Sequence, residues 1–288
     1  MFLEKFLMNT ESCVAVIIPF FNRAHCLPRA IDSVLNQTDN NFKLYLVDDA
    51  STDESYSIAK EYVENFPDRI KLLKNDVNQG VSYSRNLVLK ELAHEWYALL
   101  DSDDEWLPKK LEMQRKALAA SQLKICHTEE IWIRNSVRVN PHKKHQKSGG
   151  RIFTDCLAMC KMSPSSIVFH KSLLEQHGFF REDFPVCEDY DLWLKFCSSE
   201  EVCFLTEAYI KKYGGHEDQL STKYHSMDIY RIQSLVELSS SENITAQEKK
   251  NLLDQLQKKL IILRKGALKH QNKYALGLVE KYSRFVSE

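Results

Sequence analysis

Three carboxylates fall within four residues of the segment WYALLDSDDEWLP, residues 96–108. Asp101, Asp103 and Asp104 come directly after an apolar run. Like charges this close repel one another by about 1 kcal/mol per pair at 4 Å in water, so a cation, a ligand or solvent has to offset the repulsion. Mg²⁺ and Mn²⁺ prefer oxygen donors, and carboxylates together with a diphosphate would suit them. A solvated loop or the first turn of the next helix, where acids are also favourable, is the other interpretation.

Two further pairs of acids could likewise be either functional residues or acids of a solvated loop or a first helical turn. Asp48 and Asp49 end the apolar run FKLYLVDD, and Glu188 and Asp189 begin the helical pattern EDYDLWLKF. A carboxylate within reach of a hydroxyl group can accept its proton as a general base, although acids are also common in the first turn of a helix. The chain contains neither GxGxxG nor GxxxxGK[ST], the two common phosphate-binding motifs. A nucleotide would therefore have to be held by acids and a metal ion.

The first two acid groups follow strands of an alternating pattern. CVAVIIPF, FKLYLVDD, RIKLLKN and WYALLD are predicted strands, helices are predicted over residues 25–36 and 53–65, and NQGVSYSRNLVLKELA is predicted to be a loop leading into a helix. This alternation predicts a mostly parallel α/β sheet with helices on its faces. Such sheets bind ligands at the carboxyl ends of their strands, so the two acid groups are expected to share one crevice.

Composition and charge exclude several classes of protein. The 288 residues are 43% hydrophobic and 27% charged, and the formal net charge of −1 gives no global attraction for nucleic acid. The eight cysteines form no CxxC pair, which disfavours a zinc site and favours reduced thiols. No run of 18 apolar residues occurs, and the N-terminal stretch is too short and acidic for a signal peptide. We therefore expect a cytoplasmic protein without a membrane span.

Five motifs together resemble glycosyltransferase family 2. VAVIIPFFNR, LVDDASTDES, NQGVSYSRN, LLDSDDEW and EDYDLWLKF occur in the order and spacing of that family, over about residues 13–225. The resemblance implies the GT-A fold, with a Rossmann-like, mostly parallel sheet flanked by helices. It also implies an inverting enzyme that uses nucleotide-diphosphate sugars with Mn²⁺ or Mg²⁺ as cofactor.

The resemblance implies a role for each matching residue. Asp101 matches the first acid of the family's DxD motif, which reaches the ribose, and Asp103 matches the acid that binds the metal. Asp189 is implied as the general base, with Glu188 beside it, and Asp104 is expected to support the turn before the next helix. The resemblance also implies a turn at Pro19 and Phe20 under the nucleoside, Asp49 as the acceptor for the base, and His216 near the metal. The other positions implied to bind the nucleotide-sugar are Asn22, Gly80, Arg85 and Ser102. Arg85 could instead anchor its own loop.

The pattern also predicts two domains. Residues 1–240 are expected to form the catalytic domain, with a nucleotide-sugar half over about 13–107 and an acceptor half over about 108–240. The resemblance implies that SPSSIVFH, in the acceptor half, lines the acceptor side, and the basic segment HKKHQKSGGR is expected to be mobile. Residues 241–288 form a helical extension.

The extension carries a seam of apolar residues, and its charge is basic. The seam residues step by three and four and are Leu253, Leu256, Leu260, Leu263 and Ala267. Such a seam predicts an antiparallel helix pair or a homodimer. Ten Lys or Arg against five Asp or Glu in residues 242–288 also allow peripheral contact with an anionic membrane, close to a lipid-linked acceptor.

The sequence thus predicts a metal-dependent inverting glycosyltransferase. The expected donor is a UDP-linked hexose or N-acetylhexosamine, and the expected acceptor is a glycan or lipid-linked saccharide of a bacterial-type cell surface. A nucleotidyltransferase of sugar phosphates is one alternative, but it should carry a glycine-rich basic loop where this chain has PFFNRAHCLPR. A catalytically silent nucleotide-sugar-binding scaffold is the other, and it should have lost the metal-binding acid or the Glu–Asp pair.

Overall fold

The computed structural model describes residues 8, 12–140, 142–215 and 227–286. Within these ranges nine strands form one sheet. They are β1 (Val14–Phe20), β2 (Phe42–Asp48), β3 (Ile70–Lys74), β4 (Trp96–Leu99), β5 (Glu105–Trp106), β6 (Ile125–Arg134), β7 (Val137–Val139), β8 (Val168–His170) and β9 (Cys203–Gly214). Their order in the sheet is β3-β2-β1-β4-β8-β6-β9-β5, and β7 pairs with β6.

Most strands of this sheet run in one direction. β3, β2, β1 and β4 are mutually parallel. β8 is antiparallel to both β4 and β6, so β6 and its parallel partner β9 run with the first four strands. Six of the nine strands therefore share a direction, which confirms the predicted mostly parallel sheet.

Helices cover both faces of the sheet. They are α1 (Leu27–Leu35), α2 (Ser55–Asn65), α3 (Val81–Leu89), α4 (Lys110–Ser121), α5 (Phe153–Cys156), α6 (Ser172–His177), α7 (Glu188–Ser199), α8 (Asp228–Leu238), α9 (Ala246–Lys269) and α10 (Lys273–Ser283). The helices predicted over residues 25–36 and 53–65 are α1 and α2, each shorter by two residues or more.

The continuous apolar run of β1 reflects burial on both faces, because every residue of this strand is buried. Val14, Val16 and Ile18 belong to one hydrophobic cluster, which also contains the buried side chains of α1. Ala15 and Ile17 belong to a second cluster on the other face, with the buried side chains of α7. Alternate residues of a strand point to opposite faces, so β1 joins the two cores.

The C-terminal helices belong to the second cluster. Leu256, Leu260, Leu263 and Ala267 of the predicted seam are buried there with Ile17, and α9 packs against α10. The chain's own helices thus fill the seam, as the antiparallel-pair interpretation requires. None of the helices in the described ranges is both long and apolar enough to span a bilayer.

Two ionic contacts fix the start and the middle of α9. The helix begins with a capping box between Thr245 and Glu248, and Arg151 donates to the Glu248 carboxylate at 2.7 Å. The hydrogen bond from Arg151, together with those from Thr245 in the cap, lowers the pKa of Glu248 to about 2, although burial raises it. Further along, the buried Lys259 ammonium donates to Asp228 at 2.9 Å.

Candidate active site

Both acid groups lie at the same edge of the sheet, on either side of the end of β1. The Leu100 N–H donates to the carbonyl of Ile17 at 3.0 Å, and the Asp49 N–H donates to the carbonyl of Phe20 at 2.9 Å. Asp101 therefore follows the last hydrogen bond on one side of β1, and Asp49 makes the last one on the other side. This is the carboxyl edge of the parallel strands, where the crevice was predicted.

A buried arginine joins the acid loop to α7. The Arg85 guanidinium donates to the Asp101 carboxylate at 2.8 Å and to the Glu188 carboxylate at 2.9 Å, and the side chain is almost fully buried. Burial lowers the pKa of Arg85, but Asp101, Glu188 and Asp189 raise it above its ordinary value. The side chain therefore stays charged and spans two elements that are distant in sequence, a larger role than anchoring its own loop.

The first turn of α7 holds two carboxylates with different surroundings. Glu188 is buried, and burial together with Asp189 raises its pKa to about 7 although Arg85 lowers it. Asp189 is less buried, and its carboxylate accepts from the N–H of Tyr190 at 2.6 Å. Cys187, directly before the helix, adopts a positive φ of 63°. Glu188 is thus engaged by Arg85, and Asp189 is the more accessible acid.

The two last acids of the DSDD loop point to different partners. Asp104 is buried and accepts from the Ser165 hydroxyl at 2.7 Å and from the Tyr213 N–H at 3.1 Å. Burial and Asp103 raise its pKa well above the ordinary value. Asp104 therefore ties the loop to Ser165 and to β9, and its role in supporting the turn before the next helix stays a prediction.

Asp103 is the open carboxylate of the loop. Burial, followed by Asp101, raises its pKa. Among the described residues no other residue donates a hydrogen bond to this carboxylate, although its backbone carbonyl accepts from Arg29 at 2.5 Å. A divalent cation fits such a group, because it would offset the repulsion from Asp101. Ser102, between the two acids, is buried.

The chain supplies few further metal ligands at this position. In the described ranges, no group of three or more Asp, Glu, His or Cys side chains is arranged to hold a metal ion. His216, implied by the resemblance as a residue near the metal, lies outside the described residues. A cation at Asp103 would therefore need oxygens from a bound diphosphate, as the DxD resemblance implies.

Asn22 connects the ends of β1 and β2. It adopts a positive φ of 53°, a conformation that asparagine tolerates better than most residues. Its side-chain oxygen accepts from the N–H of Thr52 at 2.8 Å, and its own N–H donates to the Ser51 hydroxyl at 3.0 Å. The residue therefore shapes the loop, and direct contact with a nucleotide-sugar stays a prediction.

Asp49 organises the loop that precedes α3. Its carboxylate accepts from the N–H groups of Gln79 and Gly80, both at 2.8 Å, and from the Asn75 amide at 2.7 Å. Gly80 has a φ of 89°, which glycine adopts without the strain of a side chain. Three of about four acceptor sites on the carboxylate are thus used by the chain, which leaves about one for a ligand.

Pro19 and Phe20 end β1 and do not form a turn. They pair with Val47 and Asp48 of β2, and Phe20 is buried in the hydrophobic cluster on the α1 face. The proline is tolerated because β1 pairs with β4 only as far as Ile17, so its missing N–H faces the side where that ladder has ended. The predicted turn is therefore wrong, and the extended strand continues to Phe20.

The order of these motifs is shared with a known family. The family model for glycosyl transferase family 2 matches residues 15–178, more than half of the chain. The chain belongs to glycosyl transferase family 2. WfgD of Escherichia coli, named UDP-Glc:alpha-D-GlcNAc-diphosphoundecaprenol beta-1,3-glucosyltransferase, is 30% identical over 210 residues, which cover 73% of this chain and 79% of WfgD. The protein is therefore a glycosyltransferase.

Solved structures establish the fold of this family 2 glycosyltransferase. TarS 1–349 of S. aureus in complex with UDP-GlcNAc has a TM-score of 0.76 at 18% identity, over 95% of this chain and 81% of that one. The mannosyltransferase PcManGT from Pyrobaculum calidifontis in complex with GDP-Man and Mn²⁺ has a TM-score of 0.63 at 17% identity, over 97% and 86% of the two chains. The GT-A fold expected from the motifs is thus confirmed.

The part of the chain that follows residue 107 holds a buried ion pair that motif reading missed. Lys147 and Glu130 are almost fully buried, and the ammonium lies 2.7 Å from the carboxylate. Lys147 also donates to the carbonyl of Thr128 at 3.1 Å, and the Ser163 hydroxyl donates to Glu130. The expected mobility of HKKHQKSGGR is therefore wrong at Lys147, because the lysine is paired in the interior.

Lys212 is a second residue that motif reading missed. Burial lowers its pKa, but Glu130, Asp104, Asp101 and Asp189 raise it above the ordinary value, in that order. Its neighbour Lys211 binds Glu105 at 2.7 Å, and adjacent residues of a strand point to opposite faces. The alternation of side chains along β9 could thus have predicted that either Lys211 or Lys212 faces the acids.

Proposed function

We propose that this glycosyltransferase moves a sugar from a UDP-sugar to a hydroxyl of a lipid-linked saccharide, with inversion at the anomeric carbon. The observation that carries the proposal is the Arg85 bridge, because it brings Asp101 and the acid pair of α7 into one site. The name of WfgD, a glucosyltransferase that uses UDP-Glc and a diphosphoundecaprenol-linked acceptor, supports both the donor and the acceptor class. The UDP-GlcNAc complex of TarS also supports a UDP-sugar.

Asp189 is the proposed general base. Glu188 is occupied by Arg85, whereas Asp189 is accessible in the first turn of the same helix. Its carboxylate would accept the proton of the acceptor hydroxyl while that oxygen attacks the sugar, and the UDP would leave from the opposite face. A single displacement of this kind needs one base and inverts the anomeric configuration.

On the donor side, Asp101 would accept a hydrogen bond from the ribose, and Arg85 fixes the position of that carboxylate at 2.8 Å. Asp49 holds the loop with Gly80 and keeps about one acceptor site for the base. Asn22, Pro19, Phe20 and Ser102 would shape the pocket from the strand ends.

Asp103 is the proposed ligand of a Mn²⁺ or Mg²⁺ ion, with His216 as the second residue implied by the resemblance. When bound, the cation would supply positive charge to the diphosphate as it departs. The Mn²⁺ complex of PcManGT supports a metal in this fold. Since the described residues hold no group of three or more metal ligands, Mn²⁺ should bind at least tenfold more tightly with UDP than without it. Calorimetry measures this difference, and equal affinities in the two titrations would refute the assignment of Asp103.

Turnover separates an enzyme from a silent scaffold. The wild-type chain should release UDP when it is given a UDP-sugar, Mn²⁺ and a short-chain GlcNAc-diphospholipid, and NMR of the product should show the inverted anomer. Asp189→Asn should lower kcat by about 10²–10⁴. It should retain the increase in melting temperature that UDP causes, because the donor side is intact.

Asp183→Asn is the matched control, because Asp183 is an exposed acid paired with Arg181. Its kcat should equal that of the wild type. A chain that binds UDP-sugars but never releases UDP with any acceptor would be a scaffold, and an active Asp189→Asn variant would exclude Asp189 as the base.

A further inference from the structure

α9 exposes a second apolar face, opposite the one it buries. Leu252, Leu256 and Leu263 are buried, whereas Ile261, Ile262 and Leu268 are 49%, 61% and 59% exposed. At 3.6 residues per turn the exposed three fall on the side of the helix away from the core. Isolated exposed apolar residues are common, but three of them within eight residues of one helix form a group that folding does not require.

Positive charge surrounds this exposed group. Neither Asp nor Glu occurs between Asp254 and Glu280. The stretch carries exposed cations that form no ion pair within the described residues, namely Lys258, Arg264, Lys265, Lys269 and Lys273. Lys259 is different, because it is buried against Asp228. The face thus combines apolar side chains with cations that nothing in the described chain neutralises.

We propose that this face, made of Lys258, Ile261, Ile262, Lys265, Leu268 and Lys269, lies on the surface of an anionic lipid bilayer. The three apolar side chains would enter the boundary between head groups and acyl chains, and the lysines would extend their ammonium groups to the lipid phosphates. Tyr274, 66% exposed at the start of α10, would sit at the same boundary with its hydroxyl in water.

Charge decides between a membrane and a second copy of the chain. In a two-fold dimer the same patch meets itself, so its three unpaired lysines would face three others. An anionic surface instead attracts every one of them. The patch runs from Lys258 to Lys269, roughly 16 Å along the helix axis, which suits a helix lying flat in the interface. Shallow contact of this kind does not require a spanning segment.

Vesicle flotation with the full chain tests the proposal. The wild type should float with vesicles of phosphatidylcholine containing about a third phosphatidylglycerol in 0.1 M salt, and far less with pure phosphatidylcholine or in 0.5 M salt, because salt screens exposed charges. These comparisons use only the wild-type protein. Failure to float with anionic vesicles in 0.1 M salt would overturn the proposal.

Two variants assign the contact to this face. Ile261→Gln with Ile262→Gln should reduce the bound fraction about tenfold, and so should Lys258→Gln with Lys265→Gln and Lys269→Gln. The control changes three lysines elsewhere, Lys60, Lys71 and Lys116, to Gln and alters the net charge equally. Equal binding by all variants, or sedimentation that shows a wild-type dimer dissolved by the α9 changes, would also overturn the proposal. The inference rests on the surface alone, so transfer to a water-soluble acceptor should be unchanged in every variant.

Discussion

The side of the site proposed to bind the donor is held by backbone groups, whereas the region proposed as the acceptor side is held by buried charged side chains. On the donor side, Asp49 accepts from two backbone N–H groups, and Asn22 accepts from the N–H of Thr52. On the proposed acceptor side, Glu130 pairs with Lys147 in the interior and accepts from the Ser163 hydroxyl. Arg85 crosses between the two sides.

This difference has an energetic consequence. A hydrogen bond from a backbone N–H to a carboxylate contributes about 1.5–3 kcal/mol, and loop neighbours can compensate for part of its loss. Removing one partner of a buried ion pair costs about 3–5 kcal/mol, because the other charge stays in the interior without compensation. Substitutions on the acceptor side, and at the bridge, should therefore cost more than substitutions on the donor side.

The largest effect is expected at the bridge. Arg85→Met leaves Asp101 and Glu188 without their cation, so the free energy of unfolding should fall by about 3–5 kcal/mol. Misplacement of both acids should also lower kcat by about 10² or more. Urea denaturation and steady-state kinetics measure the two effects. Arg138→Met, at an exposed arginine of β7, should change neither, and a wild-type kcat in Arg85→Met would show that the bridge is dispensable.

The next effect concerns the acceptor-side ion pair. Glu130→Gln and Lys147→Met should each cost about 3–5 kcal/mol, and the double variant should cost clearly less than their sum. Urea denaturation of all four proteins gives the coupling. The exposed pair Lys60–Glu64, with atoms 3.8 Å apart, is the control and should show only about 0.3–0.5 kcal/mol. Additive costs at Glu130 and Lys147 would mean that the pair has no special role.

Mild acid should destabilise the acceptor side through His127. Burial, with Lys147 adding, lowers the pKa of this buried residue to about 3, from about 6.5 in the unfolded chain. The unfolded state therefore binds the proton first, and stability is complete above pH 6.5 and falls as the pH decreases toward 3. Between pH 7 and 5 the loss is about 2 kcal/mol. His127→Gln should flatten this part of the stability curve, and the exposed His270→Gln should not; an unchanged curve in His127→Gln would contradict the assignment.

The smallest effect is expected on the donor side. Asn22→Gly keeps the positive φ but removes the acceptor for the Thr52 N–H, so the unfolding free energy should fall by about 1 kcal/mol. Because the loop at the strand ends loosens, KM for the donor should rise while kcat changes little. Gln122→Gly, at another residue of positive φ but at the end of α4, should leave KM unchanged. A fall in kcat with constant KM would argue against a donor-side role.

Sequence reading succeeded where structure follows from local pattern. The strands before Asp49 and Asp101 are short apolar runs, and parallel strands place their ends at one edge, so both acid groups could be located. The carboxylate partners were harder, because a bridge such as Arg85 to Glu188 joins residues 103 positions apart. No periodicity connects Lys147 with Glu130, and a basic segment usually indicates a solvated loop. Burial of such a lysine depends on the tertiary packing around it.

The shared core of the C-terminal helices bears on how the chain unfolds. The family match ends at residue 178, but Leu256 and Leu263 of α9 pack in the same cluster as Trp193 of α7 and Ile17 of β1. Region 15–178 alone would therefore lack α7 and α9, which form one wall of this interior, and would expose apolar surface. The segment that the family model matches is thus shorter than the part of the chain that shares this hydrophobic core. Loss of α9 would uncover part of the hydrophobic cluster in which α7 packs.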